Sequence, residues 1–350
     1  MIFYIIPIII VIISFCDYIK DKKIRKLILS LILIGLVIFS TFRNTSIESF
    51  YGNDTNEYIK FYNSSYYNNN KDFETGYTAL NIVIHKFTEN PIYLFFIMSL
   101  LTMYFFYKYI SYYTENELIS ILAYICIFYY IRDLSQMRAA LAYAIVIYSS
   151  IYIIEKNPIK FIFFIIIATT IHFSSIFIIF IYPLSKLKFK RKHLYLILFI
   201  SLLITKINWM EPSLSLISNF YTNKYIKSFI IYTTYYEPRG IDVKFLLYFI
   251  IAIASVYIKD LKNVKSEKYE LNLYIFIFGI VIASIFNRSE VISIRLSELY
   301  ITSLIITISY FKNITTNKYL NLTYHTITCW FLITYNIFFI QSLSQYGILY

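Results

Sequence analysis

The residues best equipped for chemistry are arginines in a chain that otherwise uses lysine, 8 Arg against 24 Lys. Arg43, Arg132, Arg138, Arg239, Arg288 and Arg295 lie in polar segments or at the ends of apolar blocks. A lysine ammonium is one compact charge, whereas a guanidinium is a planar fork that grips phosphate or carboxylate at two points. His172 is the only histidine in "FIFFIIIATTIHFSSIFIIFIYPL", with Thr169, Thr170, Ser174 and Ser175 beside it. It is either a hydrogen-bonded packing group or a proton acceptor. Asp54, Glu57, Asp72 and Glu74 share one polar segment, as solvated loop acids or as a base and groups that hold substrate hydroxyls. The plainer reading of the arginines is salt bridging, Arg132 with Asp133 or Arg295 with Glu298. Read together, they describe an anion site with a proton acceptor nearby. No His, Cys or carboxylate spacing calls for a metal, and no cofactor is expected. Cys16, Cys126 and Cys329 are far apart and read as packing thiols.

The elements that position these residues are apolar. The 350 residues are 59% hydrophobic and 15% charged, well short of the roughly 25% charged residues of a soluble domain. The apolar residues come in blocks such as "IFYIIPIIIVIISF" and "FLLYFIIAIASVYI", approaching the ~20 residues that cross a bilayer. The expected fold is all-α: a polytopic transmembrane helical bundle forming one integral membrane domain over 1–350. The first block has no basic residue before it and no cleavage pattern after it, so it reads as a retained span. The net charge of +12 sits in short lysine loops, which orient membrane helices. Nucleic acid is therefore not an expected partner; membrane lipid is.

Basic loops belong inside. That rule puts "DYIKDKKIRK" (17–26) and "EKNPIK" (155–160) in the cytoplasm and the polar loop 43–75 outside. If 159–184 crossed once, the lysine-rich loops at 186–192 and 259–268 would both lie outside. A re-entrant helical hairpin near 159–184, with its apex at Thr170–Ser174, returns both to the inside. Irregular backbone at that depth needs protein or a water-filled cavity around it, so the apex is a candidate site. About ten full spans result, with long external loops at 43–75 and 210–244. Arg25 and Arg191 then lie inside and the six arginines named first lie outside, the reverse of what the positive-inside rule favours. That placement points to an outward-facing anion site, such as one for a lipid pyrophosphate.

Five stretches, in order, resemble the EpsG family of Wzy-like polysaccharide polymerases: "FSTFRNTSIESFYGNDTNEYIKFYN" (39–63), "FETGYTALN" (73–81), "RDLSQMRAALAYAI" (132–145), "IATTIHFSSIFII" (167–179) and "ISIRLSELY" (292–300). The resemblance implies a glycosyltransferase that polymerises polyprenyl-pyrophosphate-linked oligosaccharides at the outer face of the bacterial cytoplasmic membrane. Flippase and chain-length-regulating proteins would be its partners. On this reading Arg138 and Arg295 hold the pyrophosphate, His172 or Asp54 is the base, and Arg43, Arg132, Arg288 and Glu74 bind substrate. A flippase for the same lipid-linked sugar, a glycan acyltransferase with His172 as base, and an assembly scaffold remain open as alternatives.

Overall fold

The computed structural model describes residues 2–43, 52–65, 73–217, 230–234 and 238–345. Asp72, the stretch 44–51 that separates Arg43 from Gly52, and most of 218–237 lie outside the described residues. Every described element is helical, as expected. The chain divides into two compact units, one of Met1–Ile179 with Ile308–Tyr350 and one of Phe180–Thr307.

Four helices among the described residues are long and apolar enough to cross a membrane: Lys22–Thr41, Ile92–Tyr113, Met137–Ile154 and Glu267–Ile285. The pair Glu290–Ile301 and Leu304–Asn313, bent by 46°, brings the number to five if it is one span. The apolar blocks are continuous in sequence, but several of their helices are shorter. Pro158–Ile171 has 14 residues, about 21 Å at ~1.5 Å per residue, against a hydrocarbon core of roughly 30 Å. Lys318–Gln345 has the length, 28 residues, but Asn321, His325, Thr334 and Asn336 interrupt its apolar run.

In the first unit, Ile92–Tyr113 packs between Lys22–Thr41 and the helix from Met137, which in turn packs against Pro158–Ile171. Thr75–His85 packs against Pro158–Ile171 and Gly52–Ser65. Asp17 closes the other end of the unit: its carboxylate accepts from the Leu118 and Ile119 N–H groups, both at 3.1 Å, and so caps the helix that opens at Glu117. That helix runs Glu117–Tyr124, widens into a five-residue π turn at Ile125–Tyr129, and ends with Tyr130–Arg132. In the second unit, Glu267–Ile285 packs against Glu290–Ile301 and Arg191–Ile204. Gly279 lets the first pair approach closely: a Cβ there would lie 2.7 Å from Ile301 Cγ1 and 2.9 Å from its amide nitrogen.

The apolar segment 159–184 is interrupted where the sequence predicts an apex. Pro158–Ile171 stops at His172, whose backbone is extended (φ −150°, ψ 114°), and a 3-10 stretch, Phe173–Phe180, follows.

Candidate functional site

The site is built around one carboxylate in the first unit. Glu74 precedes the helix Thr75–His85 but does not cap it with its side chain, although that is where a short acceptor commonly turns back onto the helix. The carboxylate reaches across to two other segments. Its Oε2 accepts from Arg138 Nη1 at 2.5 Å. Its Oε1 accepts from the Phe173 N–H at 3.1 Å and lies 3.8 Å from His172 Nδ1. Arg138, Glu74 and His172 are each about one-fifth exposed, so water reaches the group without surrounding it. His172 ends the helix Pro158–Ile171.

Arg138 is in the first turn of the helix that opens at Met137, where the helix dipole disfavours a cation. Glu74 and three aromatic faces compensate. The guanidinium lies 4.0 Å from the centre of the Phe73 ring and 5.5 and 5.6 Å from those of Tyr77 and Tyr58. Its buried Nε has no acceptor. Asp54, exposed in the first turn of Gly52–Ser65, accepts from Ser135 Oγ at 3.3 Å, three residues before Arg138. Gly76 sets the spacing between two of the supporting helices: a Cβ there would lie 2.2 Å from Thr170 Oγ1 and 2.9 Å from the Thr170 carbonyl oxygen.

Two further predicted arginines back this site from behind. Arg43 is buried, and its Nη1 donates to the carbonyls of Asp133 and Leu134 at 2.9 and 2.7 Å. It clamps the turn that leads to Ser135 and Arg138. Arg132, 1% exposed, lies against the rings of Phe128 (4.4 Å) and Tyr143 (5.1 Å). The Tyr143 ring meets the His172 ring edge-on at 5.9 Å, and its hydroxyl lies 3.3 Å from Ser174 Oγ. In the same turn, burial pushes the Asp133 carboxyl up to about 7, against the hydrogen bond from Tyr124 and the charges of Arg132 and Arg43.

The second unit holds the remaining arginines. Arg239 Nε pairs with Asp242 at 3.0 Å and its Nη1 donates to Ser293 at 3.3 Å. Asp242 also caps Val243–Ile258 through the Phe245 N–H. Lys244 pairs with Glu298 at 2.5 Å. Arg288 Nη2 donates to the Lys206 carbonyl at 3.1 Å, and Arg295, exposed, donates to the Tyr232 hydroxyl at 2.9 Å.

Of the residues predicted from sequence, Arg138, Glu74 and His172 come together, Asp54 lies beside them, and Arg43 and Arg132 support them. Arg288 and Arg295 belong to the other unit. Sequence reasoning did not find the aromatic walls Tyr58, Phe73 and Tyr77, nor Lys244. The aromatic residues flanking Glu74 in "DFETGY" were the available signal. Among the described residues no three His, Cys, Asp or Glu side chains gather as a metal site would require.

The EpsG family model matches residues 36–350, most of the chain. No curated protein and no solved structure matches it.

Proposed function

Because the chain belongs to the EpsG family, we propose that it is a membrane glycosyltransferase that lengthens a polysaccharide from polyprenyl-pyrophosphate-linked oligosaccharides at the outer face of a bacterial cytoplasmic membrane. The acceptor's terminal hydroxyl attacks the anomeric carbon of the donor glycan. The bond from that carbon to the pyrophosphate oxygen breaks, the hydroxyl proton passes to a base, and the polyprenyl pyrophosphate leaves with the electron pair. The chemistry needs a fixed positive charge at the leaving group and a base near the acceptor.

The observation that carries this reading is the convergence of Arg138, Glu74 and His172 from three separate chain segments. Arg138 takes the pyrophosphate and His172 the proton. Asp54, on the exposed side of the same group, is the second candidate base. Arg43 and Arg132 hold the surrounding turn and rings, while Arg288 and Arg295 add positive charge that attracts the anionic lipid. In the membrane, the helices Pro158–Ile171 and Phe173–Ser185 form the arms of the re-entrant hairpin, and the shorter apolar helices complete about ten passages.

Glycan length in cells that lack the chain tests the proposal. Wild type restores long chains, whereas His172→Ala and Arg138→Ala, at normal protein level, leave single-repeat products. Long chains in the absence of the protein would overturn the polymerase reading. Long chains from both variants would overturn the site.

A further inference from the structure

Glu74 occupies the place that an anionic substrate would need. Its Oε2 lies on Arg138 Nη1 at 2.5 Å, and no substrate phosphate oxygen can take that N–H while the carboxylate holds it. The same carboxylate already faces a second cation site, with Oε1 3.8 Å from His172 Nδ1 and anchored by the Phe173 N–H at 3.1 Å. Arg138, by contrast, need not move when Glu74 leaves. Its guanidinium rests on Phe73 at 4.0 Å, with Tyr58 and Tyr77 alongside, and its Nε has an unused proton. A planar fork supported on rings can exchange one bidentate anion for another.

We infer that Glu74 is the resident counter-ion of Arg138, that a pyrophosphate group displaces it, and that the released carboxylate closes the short gap to His172. Glu74 is then a positioning residue and not a substrate ligand. With the carboxylate accepting from Nδ1–H, the imidazole presents Nε2 as the base, and the imidazolium formed when it takes the acceptor's hydroxyl proton is stabilised by the adjacent charge. Arrival of the leaving group at Arg138 thereby prepares the base. This inference rests on the proposed reaction, but its binding half stands without it.

Inorganic pyrophosphate is the probe, titrated into purified full-length protein in detergent, with glycan elongation measured on the same preparations. Arg138→Ala should lose pyrophosphate binding. Glu74→Gln should bind pyrophosphate about tenfold more tightly, in the usual range for two coupled ligands, while elongation at saturating substrate falls. A substrate ligand or a purely structural residue would weaken both, so a Glu74→Gln protein that binds pyrophosphate no better than wild type overturns the inference. If Glu74→Gln does not fold, Glu74→Asp serves instead: the shorter arm reaches Arg138 less well, and the same rise in affinity is expected at smaller size, its absence counting equally against the inference. Tighter binding in a protein whose wild type never elongates glycan would support the displacement and reject the polymerase reading, so the two fail separately.

Discussion

Both units pair basic side chains with carboxylates next to helix starts, and the pairings differ in kind. Around Arg239 the carboxylate partner is local, and Ser293 takes a second N–H. Asp242, three residues on, gives one oxygen to the guanidinium and the other to the Phe245 N–H, and the Arg239 side chain is 2% exposed. Around Arg138 the partner comes from 64 residues away, is shared with a histidine, and leaves the guanidinium an unused donor. Partly buried ion pairs contribute little net stability once desolvation is counted, and the shared carboxylate of Glu74 is the feature on which the proposed exchange with a ligand depends.

Two glycines sharpen that contrast most. Gly76→Ala and Gly279→Ala each place a methyl group within 3 Å of a neighbouring helix, and each should lower stability by about 1–3 kcal/mol, read from thermal unfolding in detergent. Only Gly76→Ala should also abolish pyrophosphate binding, because it displaces the helix that Glu74 introduces from Thr170 and its neighbour His172. Equal loss from both would erase the distinction between the units. A smaller effect is expected from Asp242→Ala, which removes a cap and a pair for about 1–2 kcal/mol and should leave pyrophosphate affinity unchanged.

A pH effect concerns Asp133. Its carboxyl rises from an ordinary 3.8 to about 7 in the folded protein, so the folded state binds that proton more tightly than the unfolded chain. Stability therefore falls as pH rises from about 4 to about 7. Asp133→Asn should flatten that slope in melts taken across the interval. A slope that persists would assign it to other groups.

Much of the first unit's site was legible because it depends on residue type and local punctuation. The lysine-rich loops after 184 pointed to a re-entrant hairpin in 159–184, and the α-helix there ends at His172, where a 3-10 stretch begins. "FETGY" and "SQMR" marked Glu74 and Arg138 as candidate residues, but not as each other's partners. What was illegible depends on which surfaces meet. Arg43 looks like an anion ligand in sequence and becomes a clamp because the carbonyls of Asp133 and Leu134 face it. Glu298 is three residues from Arg295, yet it accepts from Lys244, 54 residues away. The number of crossing helices was harder still. The helix bends by 46° between Ile301 and Leu304, and only Thr302 and Ser303 interrupt the apolar run there, a mark shared by many straight helices.

The π turn at Ile125–Tyr129 acts as an insertion of one residue into an otherwise ordinary helix, and its consequence is one of phase. Each residue of an α-helix advances the chain by ~100°, so the extra residue rotates everything after it by more than a quarter turn. Arg132 meets Tyr143, and Asp133 presents its carbonyl to Arg43, only in that rotated frame. Deleting Cys126 would give a more regular helix of nearly the same composition. It would also dial Arg132 and the turn behind Arg138 away from their partners, so that a more ideal backbone would carry a misaligned site.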